Sequence, residues 1–134
     1  VYSIASFVRS DVKVRNAAEL ASADVFKRLH LVMERDVAGG DMADAFSSAI
    51  RRNYPEPAFS EEVQTLVRML QAGTARRGDS ILLTHLPGEG LQIKVGVNEP
   101  FVITNPAFSK AIWDIYLGPN NIGESIKRGL VSRL

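Results

Sequence analysis

The chain contains no cysteine, and that single absence removes disulfides, thiolate metal sites and cysteine nucleophiles together. It contains two histidines, His30 and His85, and neither has an acidic residue or a second histidine at metal-ligand spacing. Both are therefore read as hydrogen-bonded or partly exposed structural side chains, and no metal or cofactor is expected. There is no excess of charge of either sign. Sixteen basic and fifteen acidic residues leave a formal net charge of +1, too little to recruit nucleic acid or an anionic membrane. Aromatic residues make up 7% and do not interleave with the basic pairs Arg51-Arg52, Arg76-Arg77 and Lys127-Arg128, so the stacking platform of a nucleic-acid binder is missing. No apolar run approaches the roughly 20 residues of a membrane span, and no signal peptide is visible. There is no GxSxG nucleophile elbow. Gly88-Glu89-Gly90 precedes a strand pattern, whereas a phosphate loop would open a helix.

A length of 134 residues with 46% hydrophobic content fits one domain, residues 1–134, able to bury its own core. VYSIASFVR reads as a strand, with Val1, Ser3, Ala5 and Phe7 facing one way and Tyr2, Ile4, Ser6 and Val8 the other. Apolar groups on both faces predict a central strand. It opens with no preceding turn or cap, which predicts further strands upstream of Val1. Asn16 caps a short helix to Ala23. VFKRLHLVMERDV is a second strand, with Leu29, Leu31 and Met33 on one face and Arg28, His30 and Val32 on the other.

Gly39-Gly40 then breaks the chain. Asp41 is expected to cap a helix ending at Asn53, with Met42, Ala45, Phe46, Ala49 and Ile50 as its apolar stripe. YPEPAF is a proline-punctuated loop. Ser60 is expected to cap the next helix, whose stripe is Val63, Leu66, Val67 and Leu70 and whose stop is Gly73. TARRGD reads as a polar connection. SILLTHL and LQIKVGV form a hairpin across PGEG, the second strand pointing Leu91, Ile93, Val95 and Val97 inward. FVIT is a third short strand. Asn105-Pro106 pairs a capping side chain with a proline at the first helical position. Phe108, Ala111, Ile112 and Ile115 form that helix's buried stripe, with Trp113 and Tyr116 expected at its edge, polar atoms outward. Gly118-Pro119 ends it. Asn121 and Glu124 suggest a capping box for a last helix carrying Ile122, Ile126, Leu130 and Leu134 on one face. Grouped strands with short links predict an α+β fold, an antiparallel β-sheet with a layer of helices on one face.

These residues resemble the end of the chalcone isomerase-like family. RGDSILLTHLPGEGLQIKV and FVITNPAFSKAIWDIYLGPNNIGESIKRGL carry the likeness through Gly78-Asp79, Ala107-Phe108, Ala111, Trp113, Leu117-Gly118, Ser125 and Lys127. The resemblance implies an open-faced sandwich with a ligand cleft between helices and sheet. Its plant enzymes close a chalcone to a flavanone, and other members bind fatty acids. It also implies that an arginine and a threonine used by the enzymes lie upstream of Val1. The position of the enzymes' asparagine falls at Asn53, that of their tyrosine near Phe46, and that of a threonine or serine near Asn98. Phe46 has no hydroxyl to orient a water or ketone, and enolate chemistry requires positioned donors.

Three functions follow. The first is a non-catalytic binder of a small apolar or amphipathic ligand such as a fatty acid, with Met42, Phe46, Ile50, Asn53 and Asn98 as its site; core packing of Met42 and Phe46, and a helix-ending role for Asn53, are the plainer readings of the same residues. The second is an intramolecular lyase acting on a chalcone-like enone. The third is an interaction module that self-associates through an exposed sheet edge.

Overall fold

A computed structural model describes residues 2–9, 11–132 and 134; the expected inward or outward facing of Val1 lies outside them. The first strand, β1 (Tyr2–Val8), leads to a one-and-a-half-turn helix, α1 (Ala17–Ser22), and then to β2 (Lys27–Met33). The two-residue strand β3 (Val37–Ala38) enters α2 (Gly39–Asn53), followed by α3 (Ser60–Gln71) and the short β4 (Thr74–Ala75). The meander β5 (Ser80–Leu86), β6 (Gly90–Val95) and β7 (Phe101–Ile103) precedes α4 (Pro106–Leu117) and α5 (Glu124–Val131). The five long strands form one sheet in the order β1-β2-β5-β6-β7, and β3 pairs with β4 separately. Every pairing is antiparallel. This is the α+β architecture the strand grouping predicted.

Period-two alternation decides which face is covered. Leu29, Leu31, Met33, Ile81, Leu83, Leu91, Ile93 and Ile103 are buried beneath the helices. The opposite face carries Arg28, His30, Gln92 and Lys94, with Phe7, Phe26 and Val102 exposed among them. Because β1 pairs Ile4 with Leu31 and Ser6 with Leu29, its Tyr2, Ile4, Ser6 and Val8 share the covered side. Helix α4 is held in the middle of the helical layer. Nine of its twelve residues are buried, Trp113 and Tyr116 completely. Its start follows local chemistry, since Asn105 Oδ1 accepts from the backbone N–H groups of Ala107 and Phe108.

Several expectations are corrected. Among the described residues strand β1 pairs with β2 alone and so stands at an edge of the sheet, not at its centre. Helix α2 begins at Gly39, so the Gly-Gly pair is its first turn and Asp41 sits inside it near the positive end of the dipole. Ser60 is the first residue of α3, not its cap; Phe59, at φ 56°, makes the entry, and Ser60 Oγ donates to the Pro57 carbonyl. Val97 lies beyond the end of β6, fully exposed. TARRGD contributes β4, which pairs with β3. The last helix starts at Glu124 with Gly123 as its cap, and Asn121 Oδ1 accepts from the Gly123 N–H instead of closing a capping box. Ile122 and Leu134 stand outside that helix and are partly exposed. Trp113 and Tyr116 are interior, not edge, residues: Lys27 of β2 lies over the Trp113 ring, the Tyr116 hydroxyl meets that of Tyr2 on β1, and α1, α2 and α5 pack against α4.

Gly39 shows why the helix begins where it does. A Cβ there would stand 2.1 Å from the Gly73 carbonyl oxygen and 2.3 Å from that of Leu70, so the start of α2 rests directly on the end of α3. Nothing lies within 4 Å of a Cβ built on Gly40. Neighbouring substitutions should therefore differ in sign. Gly39→Ala is expected to destabilise by about 1–3 kcal/mol through overpacking, whereas Gly40→Ala gains up to about 1 kcal/mol of helix propensity. Urea unfolding midpoints check this; equal shifts for both would contradict the close approach.

Candidate functional site

Two apolar cavities flank α2. The first, about 140 Å³, lies among β1, α2, α4 and the α4–α5 connection, and Tyr2, Met42, Phe46, Ala49, Ile115 and Tyr116 are in its wall. The second, about 240 Å³, lies among the start of α2, the end of α3 and the β6–β7 turn, with Met42, Met69, Leu70, Val95, Asn98 and Phe101 in its wall. Helix periodicity places Met42, Phe46 and Ala49 on one side of α2. Strand alternation turns Tyr2 toward the helices, and Tyr116 follows Phe108 and Ile112 at four-residue steps along α4.

The polar feature of the first cavity is a pair of phenols. The Tyr2 and Tyr116 hydroxyls stand 2.9 Å apart. Burial raises both pKa values, well above the ordinary phenol range for Tyr116, so both hydroxyls stay neutral at physiological pH. One hydrogen joins the two oxygens. The accepting phenol keeps its own hydrogen, and no other hydrogen bond is made by either hydroxyl among the described residues. A carboxylate or carbonyl oxygen entering the cavity could accept that hydrogen. No acid, base or nucleophile besides these phenols stands in the wall.

The five residues singled out in the sequence go to different places. Met42 and Phe46, 5% and 6% exposed, line the first cavity, and Met42 also lines the second. Asn98 lines the second cavity from the β6–β7 turn. Ile50 is completely buried in the core and lines neither. Asn53 spans from α2 to the α4–α5 connection: its Nδ2 donates to the carbonyls of Asp114 and Asn120, and its Oδ1 accepts from the Asn120 N–H. Sequence reasoning gave Tyr2 no role at a site and set Tyr116 at the edge of the α4 stripe, with packing weighed above a ligand-facing role. The signal was present, since Tyr2 shares a strand face with Ile4, and Tyr116 continues the step from Phe108 through Ile112.

A second polar group lies apart from both cavities. His85 is 4% exposed; its Nδ1 is 2.7 Å from Ser109 Oγ and its Nε2 2.7 Å from Asp24 Oδ1. Acid, imidazole and hydroxyl in a line suggest an activated nucleophile. Ser109, however, is fully buried in α4 and lines neither cavity, so the chain of bonds ties the loop after α1 to β5 and α4. The bond from His85, and then that from the Gly88 N–H, lowers the pKa of Asp24. His30 pairs with Ser80 Oγ at 2.8 Å on the open face. Among the described residues no three acidic or histidine groups could hold a metal ion, and no helix is long and apolar enough to cross a membrane.

Lys27 is buried beside this network, 2% exposed. Its Nζ donates to the carbonyls of Leu20 and Ala21 at the end of α1 and lies 4.6 Å from the Trp113 ring centroid. Burial lowers its pKa to about 8, opposed by the charges of Asp114 and Asp24. The unfolded chain holds this proton up to about pH 10.4, so between roughly pH 8 and 10 it binds more protons than the native state. Stability from this group therefore rises with pH across that window, by up to about 3 kcal/mol in all. Urea midpoints from pH 7.5 to 9.5 should climb in the native protein and flatten in Lys27→Met; a native profile as flat as the variant's would refute the assignment.

A five-stranded antiparallel sheet with helices on one face and apolar cavities beside α2 defines an open-faced α+β sandwich. The chalcone isomerase-like family model matches residues 1–132, and the chain belongs to that family. Among solved structures, the fold is similar to that of a fatty-acid binding protein from Arabidopsis thaliana. The TM-score is 0.75 at 15% identity, covering 99% of this chain and 77% of the plant protein. No curated protein matches the sequence.

Proposed function

We propose that the chain is a non-catalytic binder of an elongated apolar ligand with an oxygen-rich head, a fatty acid being the simplest. The observation that carries this reading is the first cavity, apolar along its length and bearing the neutral Tyr2–Tyr116 hydroxyl pair. The phenols offer one donated hydrogen to a carboxylate, and Met42 and Phe46 offer soft apolar wall to its tail. The Arabidopsis thaliana protein of the same fold is a fatty-acid binder, which agrees. An arginine upstream of Val1, where the family resemblance puts one, would supply the positive charge that the phenols lack. Ile50 serves the core, Asn53 ties the end of α2 to the α4–α5 connection, and Asn98 belongs to the neighbouring cavity.

Titration of the protein with tetradecanoate, followed calorimetrically, is expected to give one site. Tyr116→Phe, with Tyr2→Phe as its companion, should weaken binding about tenfold, the size of one hydrogen bond to a charged group. Incubation with a chalcone should show no loss of its long-wavelength absorbance above the spontaneous rate, since Phe46 supplies no hydroxyl at the tyrosine position. No fatty-acid affinity, or a chalcone turned over, would reject the binder reading.

The open edge of β1 is the surface we assign to strand pairing. Its seven residues, YSIASFV, include no charge and no proline, which leaves the edge unprotected. Beside it runs a groove toward α5 lined by Tyr2, Ile4, Ser125, Ile126 and Gly129, roomy enough at about 480 Å³ to admit an extended segment. Strands upstream of Val1 would occupy it in the larger sheet the family resemblance implies. Residues 1–134 by themselves should then self-associate there. Light scattering is expected to give a mass above the monomer, restored to monomer by Ser3→Lys; a monomer without the substitution counts against the assignment.

A further inference from the structure

Met42 is the one residue shared by the walls of the two cavities. Each cavity alone, at about 140 Å³ and about 240 Å³, is smaller than the roughly 300–1,000 Å³ of ordinary ligand pockets. Joined, they enter that range. The partition between them is a flexible thioether side chain on a helix whose first turn is Gly39-Gly40. The far cavity also holds Met69, 41% exposed, so two of the chain's three methionines line it. Nothing about the phenol pair requires the far cavity. Something long and apolar would.

We propose that Met42 is a movable partition that sets the length of the ligand. The head rests at Tyr2 and Tyr116, and the tail passes Met42 into the cavity between α2, α3 and the β6–β7 turn. The ligand class is thus a straight acyl chain too long for the first cavity alone. This deepens the fatty-acid reading and rests on it. Rotation of one thioether opens the passage without moving backbone, whereas Gly39 keeps the far wall fixed by its contact with the carbonyls of Leu70 and Gly73.

The test is a chain-length series, decanoate, tetradecanoate and octadecanoate, titrated into the full protein. Each methylene withdrawn from water should raise affinity about fourfold until the joined cavities are full. Met42→Trp should end that rise at a shorter chain, and Met42→Ala should carry it further. Met69→Trp, at a position 41% exposed and so tolerant of bulk, narrows the far cavity and should lower the octadecanoate-to-decanoate affinity ratio even if Met42→Trp fails to fold. Identical length profiles in the native protein, Met42→Trp or Met69→Trp, and Met42→Ala would overturn the partition while leaving the binder reading in place. A native protein that binds none of the three acids would overturn both.

Discussion

Helix α4 is enclosed by strands β5 and β6 and by helices α1, α2 and α5, and the rest of the molecule answers to that enclosure. A polar group buried without a partner costs on the order of 1–3 kcal/mol, and the buried polar side chains of α4 other than the Trp113 indole each find one. Ser109 finds His85, which in turn finds Asp24. Asp114 accepts from Tyr54 and from Lys110. Tyr116 meets Tyr2. The partners come from β5, the loop after α1, the end of α2 and β1, so satisfying one helix fixes the positions of most other elements.

The same enclosure explains how an apolar cavity persists in a small domain. The phenol pair bridges β1 to α4 at one end of the first cavity, while Asn53 ties the end of α2 to the loop after α4. Between these two ties α2 stands off from α4 with a methionine and a phenylalanine in the gap. Polar ties at the margins hold apolar walls apart that would otherwise gain by closing.

What was legible in the sequence was local. The hairpin across PGEG, the Asn105-Pro106 helix start and the alternation of β2 follow from side chains acting on their own backbone, and each appears where those residues put it. The edge position of β1 depends on which strands pair, which apolar residues on both faces do not determine. Asp41 and Ser60 looked like caps because their chemistry suits a cap, yet Gly39 and Phe59 set the helix starts through backbone packing and a left-handed turn. At the site, Met42 and Phe46 were visible as a stripe. The phenol pair was not, because its two halves lie 114 positions apart and only the closed fold brings them together.

Trp113 is the chain's only tryptophan, fully buried, with the Lys27 ammonium over its ring and no hydrogen-bond partner for its indole N–H among the described residues. The molecule therefore carries one indole fluorophore, shielded from water in its core with the Lys27 ammonium over its ring. Its emission reads the integrity of the interior free of overlap from any other indole. The charge the ring faces belongs to the lysine whose burial lowers its pKa to about 8, so the indole and a titrating group of the core share one place in the fold.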